Sequence, residues 1–274
     1  ANKYGIQILL DLHGLPGSQN GEMHSGITVQ HPQFNTEWNK QKAVEAVGEM
    51  VKYCLELELD DDDESSSLSS VLYGIQIINE PNHYLEDPHK FLDSYYEKAI
   101  IAARSVGLPL SVPLIVFEWT YNFDRWPDDR FGAYSTYGNV IWDTHVYHWP
   151  DGNNSDPSLD VHEQKYWNDL CQIERFHNRQ SGGVVVGEWS LAGPSWSKEK
   201  NEKFTRWIVP RFMERSHGCL FWTWEADIPE WSFQKSESVF ELDWAGVFAL
   251  STTPTTTTTK PQLLSPIDET IKIN

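Results

Sequence analysis

The sequence predicts an α/β fold, a (β/α)8 TIM barrel, from three observations. Short apolar runs rich in β-branched residues alternate with stretches at helical spacing, which is typical of a parallel sheet. Polar or aromatic residues stand where each run ends, and barrel enzymes build their sites at the carboxyl ends of their strands. No glycine-rich nucleotide or phosphate loop follows any run, which disfavours an open dinucleotide-binding sheet.

Six strands are predicted from the apolar runs, the first over Ile6–Leu12 and the second over Leu72–Ile78. The six strand ends fall at His13, Glu80, Glu118, His145, Glu188 and Trp224. A closed barrel of this type has eight strands. We therefore expect the first two strand–helix units to be absent from this sequence.

The helices are predicted from apolar residues at helical spacing over residues 36–57, 89–106, 160–180 and 198–214. Residues 1–250 are predicted to form one (β/α)-barrel domain, N-terminally incomplete, with an acidic and serine-rich insertion at 58–70. A threonine-rich tail, 251–274, is expected to have little regular structure before its last residues.

Charge and composition limit the partners. A net charge of −19 argues against nucleic acids and anionic membranes, which require basic surfaces. No apolar run is long enough to cross a bilayer. The three cysteines are too few for a disulfide scaffold, and one bridge with a thiol left over remains open. Thirteen tryptophans mildly favour a carbohydrate site, because indole rings offer flat apolar faces to sugars.

Two glutamates follow apolar runs in matching contexts. Glu80 stands within Asn79-Glu80-Pro81, and Glu188 stands within Gly187-Glu188-Trp189. A buried glutamate is costly unless it is paired or functional. Two carboxylates about 5 Å apart are what retaining glycoside hydrolysis needs, one as acid and base and the other as nucleophile. The acid requires a raised pKa, whereas the nucleophile must stay ionised.

The histidines allow a second interpretation of the site. His13, His145 and Tyr147 also follow strand ends, and histidines with a carboxylate could ligate zinc. No close pair of the H-E-x-x-H kind is present, so hydrogen bonding to sugar hydroxyls or to a carboxylate is favoured. We therefore expect no metal and no cofactor.

Five stretches carry a family resemblance, namely Leu10–Gly21, Asn79–Pro81, His145–Tyr147, Val185–Ser190 and Phe221–Trp224 with Pro229–Phe233. In this order, over about residues 5–248, they resemble glycoside hydrolase family 5, in particular its fungal exo-β-1,3-glucanase branch. The match of all five in family order is more specific than the Asn-Glu-Pro motif alone.

The resemblance implies an acid/base role for Glu80 and a nucleophile role for Glu188. It implies that the terminal glucose is bound by His13, Asn20, Asn79, His145, Tyr147 and Trp224, with Trp224 as the stacking floor. It also implies a retaining, exo-acting β-glucosidase, secreted or in the cell wall, that removes terminal glucose from β-1,3-glucan. The expected partner is thus a β-glucan oligo- or polysaccharide, without nucleic acid or membrane, and we expect a monomer.

Two positions depart from the family pattern. Its fungal members usually carry a phenylalanine after the Ser-Gln-Asn-Gly segment, where this chain has Glu22, Met23 and His24. A second phenylalanine is expected after Tyr147, where this chain has Trp149-Pro150. Such rings would hold the leaving-group sugar. A β-glycosidase or diglycosidase on aryl or flavonoid glycosides is therefore an alternative, as is a non-catalytic carbohydrate-binding barrel.

Overall fold

The computed structural model describes residues 4–59, 71–81, 88–118, 123–148, 158–193 and 196–251. These residues contain a six-stranded sheet of β1 (Ile8–Asp11), β2 (Leu72–Gln76), β3 (Leu114–Phe117), β4 (Val140–Val146), β5 (Val184–Trp189) and β6 (Cys219–Phe221). The strands lie side by side in chain order, and every neighbouring pair is parallel.

Helices connect or follow these strands, and they are α1 (Glu37–Leu59), α2 (Pro88–Ser105), α3 (Tyr134–Tyr137), α4 (Leu159–His177), α5 (Lys198–Arg215), α6 (Phe233–Phe240) and α7 (Trp244–Ser251). Parallel strands in sequential order, joined by helical crossovers, are the winding of a (β/α)8 barrel. The predicted fold class is thus confirmed. The structure ends β2 at Gln76, two residues before the predicted end.

The two faces of the sheet have separate cores. The larger cluster joins the strands to the helices and includes Trp142, which is 1% exposed. A smaller cluster contains no helix residue and is formed by Ile115, Ile141 and Val185, with Leu9 and Tyr73 packed against them. Because strand residues alternate between faces, the face of Ile141 also carries the polar side chains two and four residues later. This second face leads directly from apolar core to candidate site.

Several sequence-based predictions lie outside the described residues. They are the acidic run beyond Leu59, Trp149-Pro150 and the tail beyond Ser251. The division into a barrel domain, an insertion and a tail therefore stays a prediction. Cys54, Cys171 and Cys219 all fall within the described residues and are free thiols. No helix in the described ranges is both long enough and apolar enough to cross a membrane.

Candidate active site

Three strands bring the two predicted glutamates together. Glu80 follows β2, His145 lies in β4 and Glu188 lies in β5. One side-chain ligand atom from each of the three residues lies within 4.8 Å of the other two. A separation of about 5 Å between carboxylates suits a retaining pair, whereas an inverting pair is wider, by roughly 2 Å or more. Distant parts of the sequence thus form the predicted carboxylate pair.

A β-bulge in β5 points Glu188 towards this pair. Asp143 pairs with Val185 and Thr144 with Val186, but His145 pairs with Glu188, so Gly187 is one extra residue. Such a residue shifts the alternation by one and re-aims the next side chain. Without it, Glu188 would face the helices. The bulge therefore places Glu188 on the same face of the sheet as His145.

Glycine is required at the bulge because the backbone approaches a carboxylate closely. The Gly187 N–H donates a hydrogen bond of 2.7 Å to Asp143 Oδ1. A Cβ atom at position 187 would lie only 2.2 Å from that oxygen. Any other residue would push the strand away from Asp143. Glycine at position 187 thus allows the bulge and its hydrogen bond to Asp143 to form together.

The loop after β1 holds the backbone around Glu80. Glu80 has a φ of 41°, in the left-handed region that costs a non-glycine residue about 1 kcal/mol. Gln19 Nε2 donates a hydrogen bond of 2.8 Å to the Asn79 carbonyl, and Asn20 Nδ2 donates one of 3.0 Å to the Glu80 carbonyl. Gln19 Nε2 also donates to the His13 carbonyl at 2.7 Å. Strained backbone fixed in this way is typical of a functional residue.

His145 connects both glutamates to a buried aspartate. Its Nδ1 lies 2.6 Å from Glu80 Oε1 and 3.4 Å from Glu188 Oε2, and its Nε2 lies 3.3 Å from Asp143 Oδ2. Burial acts to lower the pKa of His145, but Asp143 and then the two glutamates raise it to about 10. His145 is therefore an imidazolium at neutral pH and donates from both ring nitrogens.

Asp143 is buried completely and receives three donors. Besides the Gly187 N–H and the His145 ring, Gln76 Nε2 donates a hydrogen bond of 2.8 Å to Asp143 Oδ2. A buried carboxylate requires such partners because its isolated charge is very costly. Asp143 therefore orients His145 and supplies the negative charge that keeps it protonated.

The pKa values of the two glutamates are in the opposite order to the one expected, in which the acid has the higher pKa and the nucleophile the lower. Burial raises the pKa of Glu188 to about 7, against the opposing influence of His145 and of the Tyr147 hydrogen bond. Burial acts in the same direction on Glu80, but the His145 hydrogen bond and the charges of His145 and His24 lower its pKa overall. Glu188, the predicted nucleophile, thus has the higher pKa of the two.

Tyr147 and Glu188 form a direct hydrogen bond. The Tyr147 hydroxyl donates a hydrogen bond of 2.8 Å to Glu188 Oε2. Burial and the adjacent Glu188 charge hold the pKa of Tyr147 well above its ordinary value, so the hydroxyl remains a donor. This donor favours the ionised form of Glu188.

His13 and Asn79 lie beside the pair and contact each other. His13 Nδ1 is 2.5 Å from Asp11 Oδ2, and Asn79 Nδ2 is 3.3 Å from His13 Nε2. The Asp11 hydrogen bond raises the pKa of His13. Asn79 Oδ1 is buried and has no hydrogen-bond partner among the described residues, so it can accept one from a ligand.

Two tryptophans close together in sequence have different surroundings. Trp222 is stacked on His13 with ring centroids 5.4 Å apart. Trp224 is stacked instead on Phe233, at 5.7 Å, and 67% of it is exposed. The family resemblance implies that Trp224 is the sugar-stacking ring, and that role stays a prediction. The structure instead places Trp222 on the site residue His13.

Four contributors to the site were missed by sequence analysis: Gln19, His24, Asp143 and Trp222. Asp143 carried a usable signal, because it is an acidic residue inside an apolar strand and stands two residues before His145. The others act through contacts between loops that local pattern does not reveal. Glu118, a third glutamate at a strand end, accepts a hydrogen bond from Trp126 Nε1 and is not within the carboxylate pair.

A metal ion is one ligand that this cluster could bind by donor type. Two carboxylates and one imidazole form the single candidate group of metal ligands found among the described residues. Asp143 and the two glutamates raise the pKa of this imidazole to about 10, and its nitrogens must lose their protons before they can ligate. The expectation of a metal-free site stays a prediction.

A barrel-type sheet with two carboxylates this close at its strand ends is the arrangement of a retaining glycoside hydrolase. Curated relatives include glucan 1,3-beta-glucosidase 2 of Wickerhamomyces anomalus, 25% identical over 90% of this chain and 62% of the relative. Glucan 1,3-beta-glucosidase 1 of Schizosaccharomyces pombe is 29% identical over 81% of this chain and 56% of that relative. Glucan endo-1,6-beta-glucosidase B of Emericella nidulans is 24% identical over 87% and 58%.

Solved structures of similar fold include rutinosidase from Aspergillus niger, with a TM-score of 0.60 and 17% identity over 89% of this chain and 68% of that one. A GH5 family lichenase from Caldicellulosiruptor sp. F32 also has a TM-score of 0.60, with 13% identity over 91% and 70%. The chain matches no protein-family model.

The chain is similar in sequence to fungal glucan 1,3- and 1,6-beta-glucosidases and shares its fold with enzymes of glycoside hydrolase family 5, so the resemblance seen in its motifs is confirmed at that level. It spans 56% to 62% of the length of the three curated relatives named above.

Proposed function

We propose that the chain is a retaining, exo-acting β-glucosidase that removes terminal glucose from β-1,3-glucan. The observation that carries this proposal is the approach of Glu80, after β2, and Glu188, in β5, to within 4.8 Å on one side of the parallel sheet. Relatives named as glucan 1,3-beta-glucosidases support the substrate class. Since β-glucan is a cell-wall polymer, we also propose a secreted or cell-wall location.

The reaction is a double displacement in which each glutamate has one role. Glu188 attacks the anomeric carbon as the glycosidic bond breaks, and Glu80 donates a proton to the departing oxygen. In the second step Glu80 takes a proton from water, and the water oxygen attacks the same carbon and releases Glu188. Two inversions leave the product with the starting β configuration.

Proton placement before the first step depends on His145. The reacting form, with its proton on Glu80, is the minor one because Glu188 has the higher pKa. His145 Nδ1 faces both carboxylates, at 2.6 Å and 3.4 Å. Moving its hydrogen bond from Glu80 to Glu188 lowers the pKa of Glu188 and releases Glu80 to hold the proton. The minor form thereby becomes accessible.

The sugar in the site has available partners of three kinds. Asn79 Oδ1 is buried and unpaired, which supports the predicted contact with a sugar 2-hydroxyl. His13 offers its ring edge, and Trp222 offers an apolar face that is 38% exposed. A partly exposed ring stacked on His13 is suited to stacking on the C–H surface of glucose.

Product analysis tests the proposal. The 274-residue chain is incubated with laminarin, and proton NMR follows the first anomer of glucose released. Early β-glucose, released one residue at a time, supports a retaining exo-glucanase. Binding of laminarin without turnover, together with no turnover of pustulan, aryl glucosides or rutin, would establish the non-catalytic barrel and overturn the proposal.

A different leaving group is the second candidate, for which the departure at Glu22, Met23 and His24 is the specific observation. Met23 lies next to the site residue His24 and is 81% exposed, so the loop presents a flexible apolar side chain. Faster turnover of aryl glucosides or rutin than of laminarin would favour this candidate. Pustulan is included because endo-1,6-glucanases are among the relatives.

Replacing Tyr147 by phenylalanine is expected to move the alkaline limb of the kcat/KM profile to higher pH. The glutamate pair keeps its last proton up to the pKa of Glu188, about 7. The Tyr147 hydrogen bond favours ionised Glu188, so its loss raises that pKa, by about one unit for a bond to a charged group. The measurement is kcat/KM from pH 4 to roughly pH 9, which reports the free enzyme.

Tyr137→Phe is the matched control for this prediction, because the Tyr137 hydroxyl also donates to a glutamate, Glu97, at 2.9 Å. Its profile should overlay that of the parent chain. A limb that stays in place or moves to lower pH in Tyr147→Phe would contradict the assignment of that limb to Glu188.

A further inference from the structure

Each carboxylate oxygen of Glu80 faces a different imidazole. Oε1 lies 2.6 Å from His145 Nδ1, and Oε2 lies 3.1 Å from His24 Nε2. His145 is buried within the sheet, whereas the His24 side chain is 40% exposed. His24 therefore lies between Glu80 and solvent. It belongs to the segment in which this chain departs from the family pattern.

His24 is held in place by its own loop. It lies in a short 3-10 turn, Met23–Ser25, and Ser25 Oγ is 2.6 Å from Ser18 Oγ. Asn20 Nδ2 lies 2.8 Å from His24 Nε2. The orientation of the Asn20 amide is determined, because its Oδ1 accepts from the Glu22 N–H at 2.9 Å while its Nδ2 donates to the Glu80 carbonyl. The turn thus presents one nitrogen of His24 to Glu80.

His24 Nε2 can act in two ways. When it carries hydrogen, it donates to ionised Glu80 at Oε2. When it is bare, it accepts from the Asn20 amide or from the hydroxyl of protonated Glu80. Either protonation state of Glu80 therefore has a partner at the same atom. The change between the two requires only a change of proton on His24, whose ring reaches solvent.

We propose that His24 is a positioning residue for Glu80, which holds the carboxyl in both of its protonation states. The inference rests on the proposed function of Glu80 as acid and base. The other ionisable groups that face Glu80 are His145 from β4, Glu188 from β5 and His13 after β1. Among these four groups His24 is the most accessible to solvent.

The test compares leaving groups that need a proton with one that does not. The full chain and its His24→Ala variant are assayed on phenyl and 2,4-dinitrophenyl β-glucosides. A hydrogen bond to a charged group implies a loss of about tenfold in kcat/KM on the phenyl glucoside. The dinitrophenyl glucoside should be nearly unaffected, because its leaving group departs as the anion. On the phenyl glucoside His24→Asn, which retains a donor, should have a kcat/KM between those of the parent and His24→Ala, and Ile27→Ala, at an exposed position of the same loop, should match the parent.

Titration of Glu80 supplies a readout independent of turnover. The carbon-13 carboxyl signal, assigned with Glu80→Gln, should titrate at higher pH in His24→Ala because a positive neighbour is lost. Equal losses on both glucosides, or an unchanged Glu80 titration, would overturn the inference. If the parent chain hydrolyses neither glucoside but the Glu80 titration moves, the proposed function fails and the positioning contact stands.

Discussion

Replacement of Glu188 by alanine is expected to lower kcat for glucosides by a factor on the order of 10⁴ or more, because no covalent intermediate can form. Added azide should restore turnover and yield α-glucosyl azide, since it enters the space vacated by the carboxylate and inverts the anomeric carbon once. Product configuration is read by proton NMR. The substrate is 2,4-dinitrophenyl β-glucoside, because its dinitrophenolate leaving group departs without needing a proton.

Glu80→Ala is the matched variant and should give the opposite anomer. It retains the nucleophile, so azide attacks the glycosyl-enzyme and yields β-glucosyl azide. Loss of acid catalysis should cost about 10²–10⁴-fold on poor leaving groups. β-Azide from Glu188→Ala would exchange the two roles. That outcome is a real test, because the structure places the more basic carboxyl at Glu188.

The second large effect is expected from Asp143→Asn, which removes the buried negative charge beneath His145. The variant should lose about 3 kcal/mol of unfolding free energy near pH 6. This lies at the low end for a broken buried pair, because His145 keeps both glutamates as partners. Urea unfolding followed by tryptophan fluorescence measures the difference. Turnover should fall as well, since His145 loses the group that orients it.

The pH dependence of this loss has a definite sign. His145 has a folded pKa of about 10 against an ordinary value of 6.5. A raised folded pKa contributes stability that is complete below the unfolded value and disappears as pH rises through the folded value. Part of that stability comes from Asp143. The destabilisation of Asp143→Asn should therefore be larger at pH 6 than at pH 10.

Asp93→Asn is the control for this experiment. Asp93 also pairs with a cation, Arg130, but its side chain is 36% exposed. Such pairs contribute about 1 kcal/mol or less. A loss in Asp143→Asn as small as that of the control, or equal at both pH values, would show that Asp143 does not maintain the charge of His145.

Local pattern was sufficient for the strands and for most of the site. Glu80, Glu188, His145 and Tyr147 were predicted as a group because each stands at or near the carboxyl end of an apolar strand. In a parallel sheet those ends meet along one edge, so residues far apart in sequence must converge. Apolar residues at helical spacing likewise predicted the positions of the four long helices.

The choice between Trp222 and Trp224 lay beyond such reasoning. The strand β6 ends at Phe221, so the alternation of faces does not extend to either ring. Only packing decides that Trp222 lies on His13 and Trp224 on Phe233. In β5 the alternation of side chains between the two faces is broken within the strand, because Gly187 is an extra residue. The hydrophobic pattern of the sequence does not predict this bulge.

The sequence by itself determined which carboxylates meet, and the tertiary structure decided where their protons reside. The pKa of Glu188 depends on burial and on His145, Glu80 and Tyr147, none of which is near it in sequence. Glu80 in turn depends on His24, a loop residue brought to 3.1 Å by the turn that holds it. Electrostatic interaction falls with distance in space and with burial, so proton affinity follows the fold.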